Sequence, residues 1–372
     1  MSDDQIETSE EFRFPCQECG SEMRFDPEAN KLKCPYCSHE QDFDGEGQSG
    51  LANTELDFKA ALANELPPEE MEEIRATDCS NCGAQVEFEG DSYSKECPFC
   101  ASPIVLEPRT SKQIKPKGVM PFVLSEDKAR EAMNTWLGKL WFAPSDLQEY
   151  ARKGRKMQGM YVPYWTYDAQ SESDYAGQRG TYYYVTERYT TTENGKTVSK
   201  TRQVRKTRWH RVSGHVSKWF DDILVLASKA LPKRFTDKLA PWDLGALVDY
   251  NPNYIAGYSA EAYTVDLAEG FTEAEAIIER EIRALVKRDI GGDEQRINAL
   301  NTTLSALTFK HVLLPVWLAA YKYQGKSYRF VVNGQTGKVK GERPWSKVKI
   351  ALAVLAGIVV VVAGVLIYQA AQ

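Results

Sequence analysis

Eight cysteines fall into two groups with one spacing. CQECGSEMRFDPEANKLKCPYC supplies Cys16, Cys19, Cys34 and Cys37, and CSNCGAQVEFEGDSYSKECPFC supplies Cys79, Cys82, Cys97 and Cys100. Each group is C-x2-C, fourteen residues, C-x2-C. Two residues between cysteines let both thiolates face one ion from a tight knuckle. Fourteen residues suffice for a hairpin that returns the second knuckle to the first. Four thiolates at about 2.3 Å in a tetrahedron suit Zn2+, and such a site has no open position for catalysis. The pattern predicts two small β zinc ribbons, each built around one structural Zn2+. Units of about thirty residues cannot build a core, and the metal replaces one. A rubredoxin-like iron site would call for a glycine after both knuckles. Gly20 and Gly83 follow the first knuckle of each unit, but Ser38 and Ala101 follow the second. His39 lies beside a site that is already full and reads as a surface residue.

All eight cysteines are used this way, which leaves none for a disulfide and points to a reducing compartment. His210, His215 and His311 stand in no H-E-x-x-H or Ser-elbow context, and no G-x-x-x-x-G-K-[ST] occurs. No catalytic residue is predicted, and the chain reads as a non-enzyme.

The charge is divided. The whole chain carries −6, but residues 1–108 hold 26 Asp+Glu against 7 Lys+Arg, a net of −19, and the remainder holds 26 against 39, a net of +13. Phosphate binding needs Lys and Arg, so the acidic charge around the ribbons argues against nucleic acid and for protein partners. Residues 196–211, KTVSKTRQVRKTRWHR, hold seven Lys/Arg and no acid. Anionic lipid and nucleic acid are the functional readings of that stretch, and a solvated hairpin face is the plain one.

The elements that must carry these residues divide as follows: residues 13–43, zinc ribbon 1; 44–76, a linker with short helices at Thr54–Leu66 and Glu69–Ala76; 77–107, zinc ribbon 2; EPRTSKQIKPKG, a linker; 118–345, an α+β domain with antiparallel sheets. In that domain Val119–Leu124 and Met160–Ala169 read as strands, and Ser125 caps a helix to about Trp141. Thr181–Thr190 and Thr197–Val212 form a hairpin around ENGK. Thr272 and Glu275 form a capping box for a helix to about Arg288, closed by Gly291-Gly292. The run PVWLAAYKYQGKSYRFVVNGQTGKVKG gives short strands. An internal duplication is suggested: PFVLSEDKAREAMNTWL followed by VPYWTYDA echoes YTVDLAEGFTEAEAIIEREI followed by LPVWLAAYKY. Trp136, Trp141, Trp165, Trp209, Trp219, Trp242 and Trp317 are expected in packing roles.

Ile350–Tyr368 is 19 residues without a charge, enough for one helix across a hydrocarbon core of about 30 Å. Lys338, Lys340, Arg343, Lys347 and Lys349 precede it, which places the N-terminal bulk in the cytoplasm and leaves a single-pass tail anchor in the cell membrane. Trp345 suits the interface. Ala353, Gly357 and Gly364 share about one face of the anchor and allow pairing in a homo-oligomer. The N-terminal MSDDQIETSEEF is acidic and polar, unlike a signal peptide.

The two ribbons, VMPFVLSEDKAREAMNTWL, GMYVPYWTYDA, LLPVWLAAYKYQGKSYRFVVNGQTGKVKGERP and the terminal anchor together resemble the bacterial membrane-associated proteins labelled TFIIB-type zinc ribbon-containing. Relatives of these are often labelled primosomal helicase-like, a label the absent P-loop does not support. The resemblance implies partners among SPFH and PspA-like membrane-stress proteins. The expected function is a tail-anchored adaptor that recruits or scaffolds protein partners at the membrane. The alternatives are a zinc-ribbon nucleic-acid-binding regulator and an enzyme housed in residues 118–345.

Overall fold

A computed structural model describes residues 14–43, 50–87, 94–99, 102–105, 109–144, 157–193, 196–323 and 326–370. Its frame is a sheet built on three long strands. We label β1 (Gly118–Val119), α1 (Glu126–Gly138), β2 (Gln158–Glu193), β3 (Lys196–Leu226), β4 (Ser259–Ala260), α2 (Leu267–Ile290), β5 (Glu294–Tyr323), β6 (Lys326–Asn333), β7 (Val339–Gly341) and α3 (Lys347–Ala370). β2 lies between β3 and β5 and is antiparallel to both, and β6 and β7 continue antiparallel beyond β5.

The two echoing sequence segments meet at the centre of this sheet. Val162 of VPYW pairs directly with Leu314 of LPVW. Their lead-in strands cross over. β1 runs parallel to β5, with Gly118 opposite Val312 and Val119 opposite Leu313, and β4 runs parallel to β2, with Ser259 opposite Met160 and Ala260 opposite Tyr161. The tryptophans cross over too. Trp165 Nε1 donates to Val265 O and Trp317 Nε1 donates to Leu124 O, both at 2.9 Å. Each acceptor immediately precedes the N-cap of a helix, Asp266 for α2 and Ser125 for α1. Each half thus supplies the indole that fixes the start of the other half's helix.

α2 turns Leu267, Gly270, Ala274, Ile278, Ile282, Val286 and Ile290 into the sheet. That three- and four-residue spacing is one helical face. Gly270 is needed for the close approach: a Cβ there would come within 2.5 Å of Tyr167 Oη and 2.8 Å of Trp165 Cδ1. Asp266 accepts from Glu269 N at 2.7 Å, and Gly291, at φ +65, ends the helix.

Several expected elements differ. The helix expected from Thr272 begins at Leu267, capped by Asp266, and Thr272 sits inside it with its hydroxyl donating to Ala268 O. Thr54–Leu66 contains a helix only at Phe58–Leu62, capped by Asp57. Glu69–Ala76 is helical only in a 3-10 turn at Pro68–Glu70: Met71–Asp78 is a strand. EPRTSKQIKPKG is not a free linker, because Arg109–Ile114 pairs antiparallel with Met71–Ala76 and places Lys112 opposite Glu73. The helix preference of the glutamates is overridden there by the antiparallel ladder. The strand expected over Val119–Leu124 is confined to Gly118–Val119. Trp141 and Trp219 are exposed rather than packed.

Candidate metal centres

In the first unit Arg24–Asp26 and Lys31–Lys33 form the expected hairpin, and it closes the two knuckles on each other. Cys16 Sγ lies 3.6 Å from Cys37 Sγ, and Cys19 Sγ lies 3.5 Å from Cys34 Sγ. All four sulfurs lie within 4.8 Å of one another. A tetrahedron with metal–sulfur bonds of about 2.3 Å has sulfurs about 3.8 Å apart, so this set could hold a metal ion. Gly20 supplies the expected left-handed turn after the first knuckle, at φ +72. The Ser21 backbone N–H pulls Cys19 down to about 6, helped by the Ser21 hydroxyl and by Cys34. Cys37 is lowered by the His39 amide, but burial and the neighbouring sulfurs outweigh that pull and push it up to about 12. A divalent ion would let all four ionise together.

The second unit repeats the arrangement as far as it is described. Cys79, Cys82 and Cys97 cluster, with Cys82 Sγ 3.6 Å from Cys97 Sγ and Gly83 at φ +74. Cys100 lies outside the described residues, as do residues 88–93 between the strands of this unit. Gln85–Glu87 pairs with Thr77 and its neighbours, and Ser94–Glu96 pairs with Pro103–Val105.

Neither unit stands apart. Successive residues of a strand point to opposite faces of the sheet, and the two units use opposite faces of β2. Cys16, Met23, Phe25, Leu32 and Cys34 pack in one core with Tyr161 and Trp317. Cys79, Val86, Cys97 and Phe99 pack in another with Met160, Val162 and Tyr164. Both also dock on the segment leading into α2. Phe25 N donates to Ala256 O at 2.9 Å, and Ala262 N donates to Gln85 O at 3.2 Å. The units therefore clamp the base of the sheet from its two sides.

A third cluster has no counterpart in the sequence reading. Both neighbours of β2 shift register around Asp168, with Asp222 at φ +51 on β3 and Ala306 at φ +49 on β5. Asp222 N donates to Asp168 Oδ1 at 2.7 Å. Lys310 Nζ lies 2.9 Å from Asp222 Oδ1 and 3.0 Å from Glu55 Oε1, and the Thr308 hydroxyl donates to Glu55. Burial, and a proton shared with Glu55, push Asp168 up to about 7. The ammonium and that proton together offset two of the three close carboxylate charges. Glu55 belongs to the segment between the two cysteine units, so the cluster ties that segment to the sheet. The available signal was an acid inside YWTYDA and a lysine inside LTFKHVLLPVW, charges in otherwise apolar strand runs.

Among the remaining histidines, His311 is buried and donates from Nδ1 to Ile114 O (2.8 Å), and desolvation holds it down at about 4. His215 is exposed, between Asp174 (2.9 Å) and Glu172 (2.7 Å), and both raise it. His210 is exposed on the hairpin. The geometry brings none of them to the cysteines. α3 is long and apolar enough to cross a membrane and is wholly unburied. Its foot is fixed where Ser346 N donates to Phe142 O and Lys349 Nζ donates to Ala143 O, both at 2.8 Å.

Sheet, cysteine clusters and apolar C-terminal helix together define a multidomain chain with two candidate metal centres and one candidate membrane span. The chain is similar to YdjG of Bacillus subtilis (strain 168), a protein described as uncharacterised, with 28% identity over 340 residues that cover 91% of this chain and 92% of YdjG. The likeness spans far more than a cysteine unit and so concerns the whole arrangement. No family model matches the chain, and no solved structure matches it.

Proposed function

We propose that the protein is a tail-anchored, cytoplasm-facing zinc-ribbon adaptor that gathers protein partners at a membrane. The observation that carries this reading is a difference between equivalent residues. Each unit ends in Cys-Pro-aromatic-Cys. Phe99 in the second unit is 3% exposed, whereas Tyr36 in the first is 86% exposed. An aromatic ring held rigidly beside a metal knuckle and open to solvent is a typical interface anchor. The exposed acids Glu18 and Glu22 flank the other side of the same unit and favour a partner with basic groups. Two Zn2+ ions, one per unit, would fix the knuckles, and α3 would hold the body at the bilayer. The one-sided Lys and Arg flank before α3 supports the cytoplasmic orientation. SPFH and PspA-like proteins are the partners suggested by the family resemblance.

The test uses the full chain in membranes. Crosslinking and capture should recover PspA-like or SPFH proteins with the native chain, and Tyr36→Ala combined with Glu18→Lys should lose them while metal content stays at two ions per chain. Unchanged recovery by that variant would overturn the assignment of the partner surface. Fractionation tests the anchor separately: a chain lacking residues 350–368 that still pellets with membranes would overturn it.

A further inference from the structure

The β2–β3 hairpin outruns the rest of the sheet. β5 begins at Glu294, opposite Gly180. Beyond that point residues 181–193 and 196–208 pair only with each other among the described residues. Thirteen residues per strand at about 3.3 Å each make an arm about 40 Å long. None of residues 181–192 and 196–208 is buried, so the arm contributes nothing to a core. A lone two-stranded ribbon is marginal in water, and this one is held by its own side chains. Arg205 sits 4.1 Å from the Tyr182 ring centre, Arg208 5.1 Å from Tyr183, and Arg202 5.5 Å from Tyr189. Lys206 pairs with Glu187 at 2.9 Å. Strand alternation puts the first of these stacks on one face of the arm and the next two on the other. A guanidinium stacked on a ring keeps edge N–H groups for an oxyanion.

We propose that this arm lies on the anionic surface of the bilayer that holds α3, with its Arg and Lys on lipid phosphates and its open tyrosines at headgroup level. The charge fits: the arm carries seven Lys/Arg against two Glu in a chain whose net charge is −6. Its composition fits as well, since Tyr183, Tyr184 and Tyr189 are exposed among those cations, and phenol rings favour the water–lipid boundary where anionic headgroups attract Lys and Arg. The attachment of α3 to the same body raises the effective concentration of that surface, so an individually weak contact is populated. This inference rests on the membrane-anchor reading of α3.

The experiment places the full chain, one per disc, in lipid nanodiscs of phosphatidylcholine alone or with about 30% phosphatidylglycerol, and follows hydrogen exchange of residues 181–208. Exchange should slow roughly threefold or more in the anionic discs, and the difference should vanish near 0.5 M salt, roughly, where screening is short-ranged. Arg202→Gln, Arg205→Gln and Arg208→Gln together should abolish it. Exchange of the arm equal to that of the native chain in neutral discs would show that the variant's arm is still folded. Equal exchange in both discs, or protection that survives the triple substitution, overturns the proposal. Stronger protection by a duplex of about 24 base pairs in neutral discs, at matched phosphate, also overturns it in favour of nucleic acid. A chain that fails to enter discs refutes the anchor reading alone. Arm exchange is then read against added phosphatidylglycerol vesicles, where triple-sensitive slowing supports an anionic lipid surface and no slowing overturns it.

Discussion

Cys16 and Cys34 of the first cysteine unit are buried like their counterparts Cys79 and Cys97 in the second, but Cys19 is exposed where Cys82 is partly buried. The aromatic residue between the last two cysteines follows the same division, with Tyr36 in solvent and Phe99 in the core. One spacing thus serves two tasks. Where the second knuckle is pressed into the sheet, its ring fills the interior with Ile104 and Leu231. In the first unit the hairpin joins Cys16 and Cys34 in the contact: Phe25 stacks edge-on to Tyr254 at 5.2 Å. The two units cover the two faces of the sheet at its base.

The largest expected effect divides the units by their metal. Structural zinc contributes on the order of 10 kcal/mol in isolated fingers. Cys79→Ser with Cys97→Ser should remove one metal equivalent and lower the melting temperature of the body by at least about 10 °C, because the core on that face opens with the site. Cys16→Ser with Cys34→Ser, at the equivalent positions, should also cost one equivalent but lower the melting temperature by less than half as much. Equal losses, measured by calorimetry beside metal analysis, would break the comparison. Next in size, Phe99→Ala should cost about 3–5 kcal/mol in urea unfolding, and Tyr36→Ala should stay within about 0.5 kcal/mol. A destabilising Tyr36→Ala would mean that its ring is structural after all.

None of that asymmetry was legible in the cysteine spacing, because burial of Tyr36 or Phe99 depends on docking partners some two hundred residues away. What could be read was local. The fourteen-residue spacing marked the hairpin of the first unit, Gly20 and Gly83 stood where the chain turns after the first knuckle, and Ser125 and Gly291 marked helix ends. The Pro-x-Trp echo was visible as well, but its consequence was not. That Trp165 reaches Val265 and Trp317 reaches Leu124 follows from strands exchanged between halves, a long-range pairing with no local signature. Met71–Asp78 was misread for the same reason: its glutamates look helical until Arg109–Ile114 lies beside them. The Asp168 cluster escaped because its four charges come from four distant segments, each carrying a single anomalous residue.

That cluster decides whether the two units behave as one body, since Glu55 sits between them in sequence. Asp168 titrates near 7 when folded and near 3.9 when unfolded. Between those values the folded chain binds the extra proton, so stability falls as pH rises from about 4 to about 7. Asp168→Asn, which keeps an acceptor for Asp222 N and a donor for Glu55, should remove this part of the slope. The variant should gain on the native chain as pH rises and match it near pH 4, roughly. A difference that does not change with pH would show that Asp168 is not the group involved. The smallest effect belongs to the edge of the first unit, where Glu28 meets Lys128 at 3.1 Å and the Ser125 hydroxyl at 3.1 Å. These contacts lower the Glu28 carboxyl below its ordinary value, so their stabilisation is present above that ordinary value and lost as pH falls through the lowered one. Both side chains are more than half exposed, and water screens the pair. Glu28→Gln should therefore shift the melting temperature by no more than about 2 °C at neutral pH. A larger shift would mean that the first unit depends on its charged rim, and would bring its docking closer in kind to that of the second.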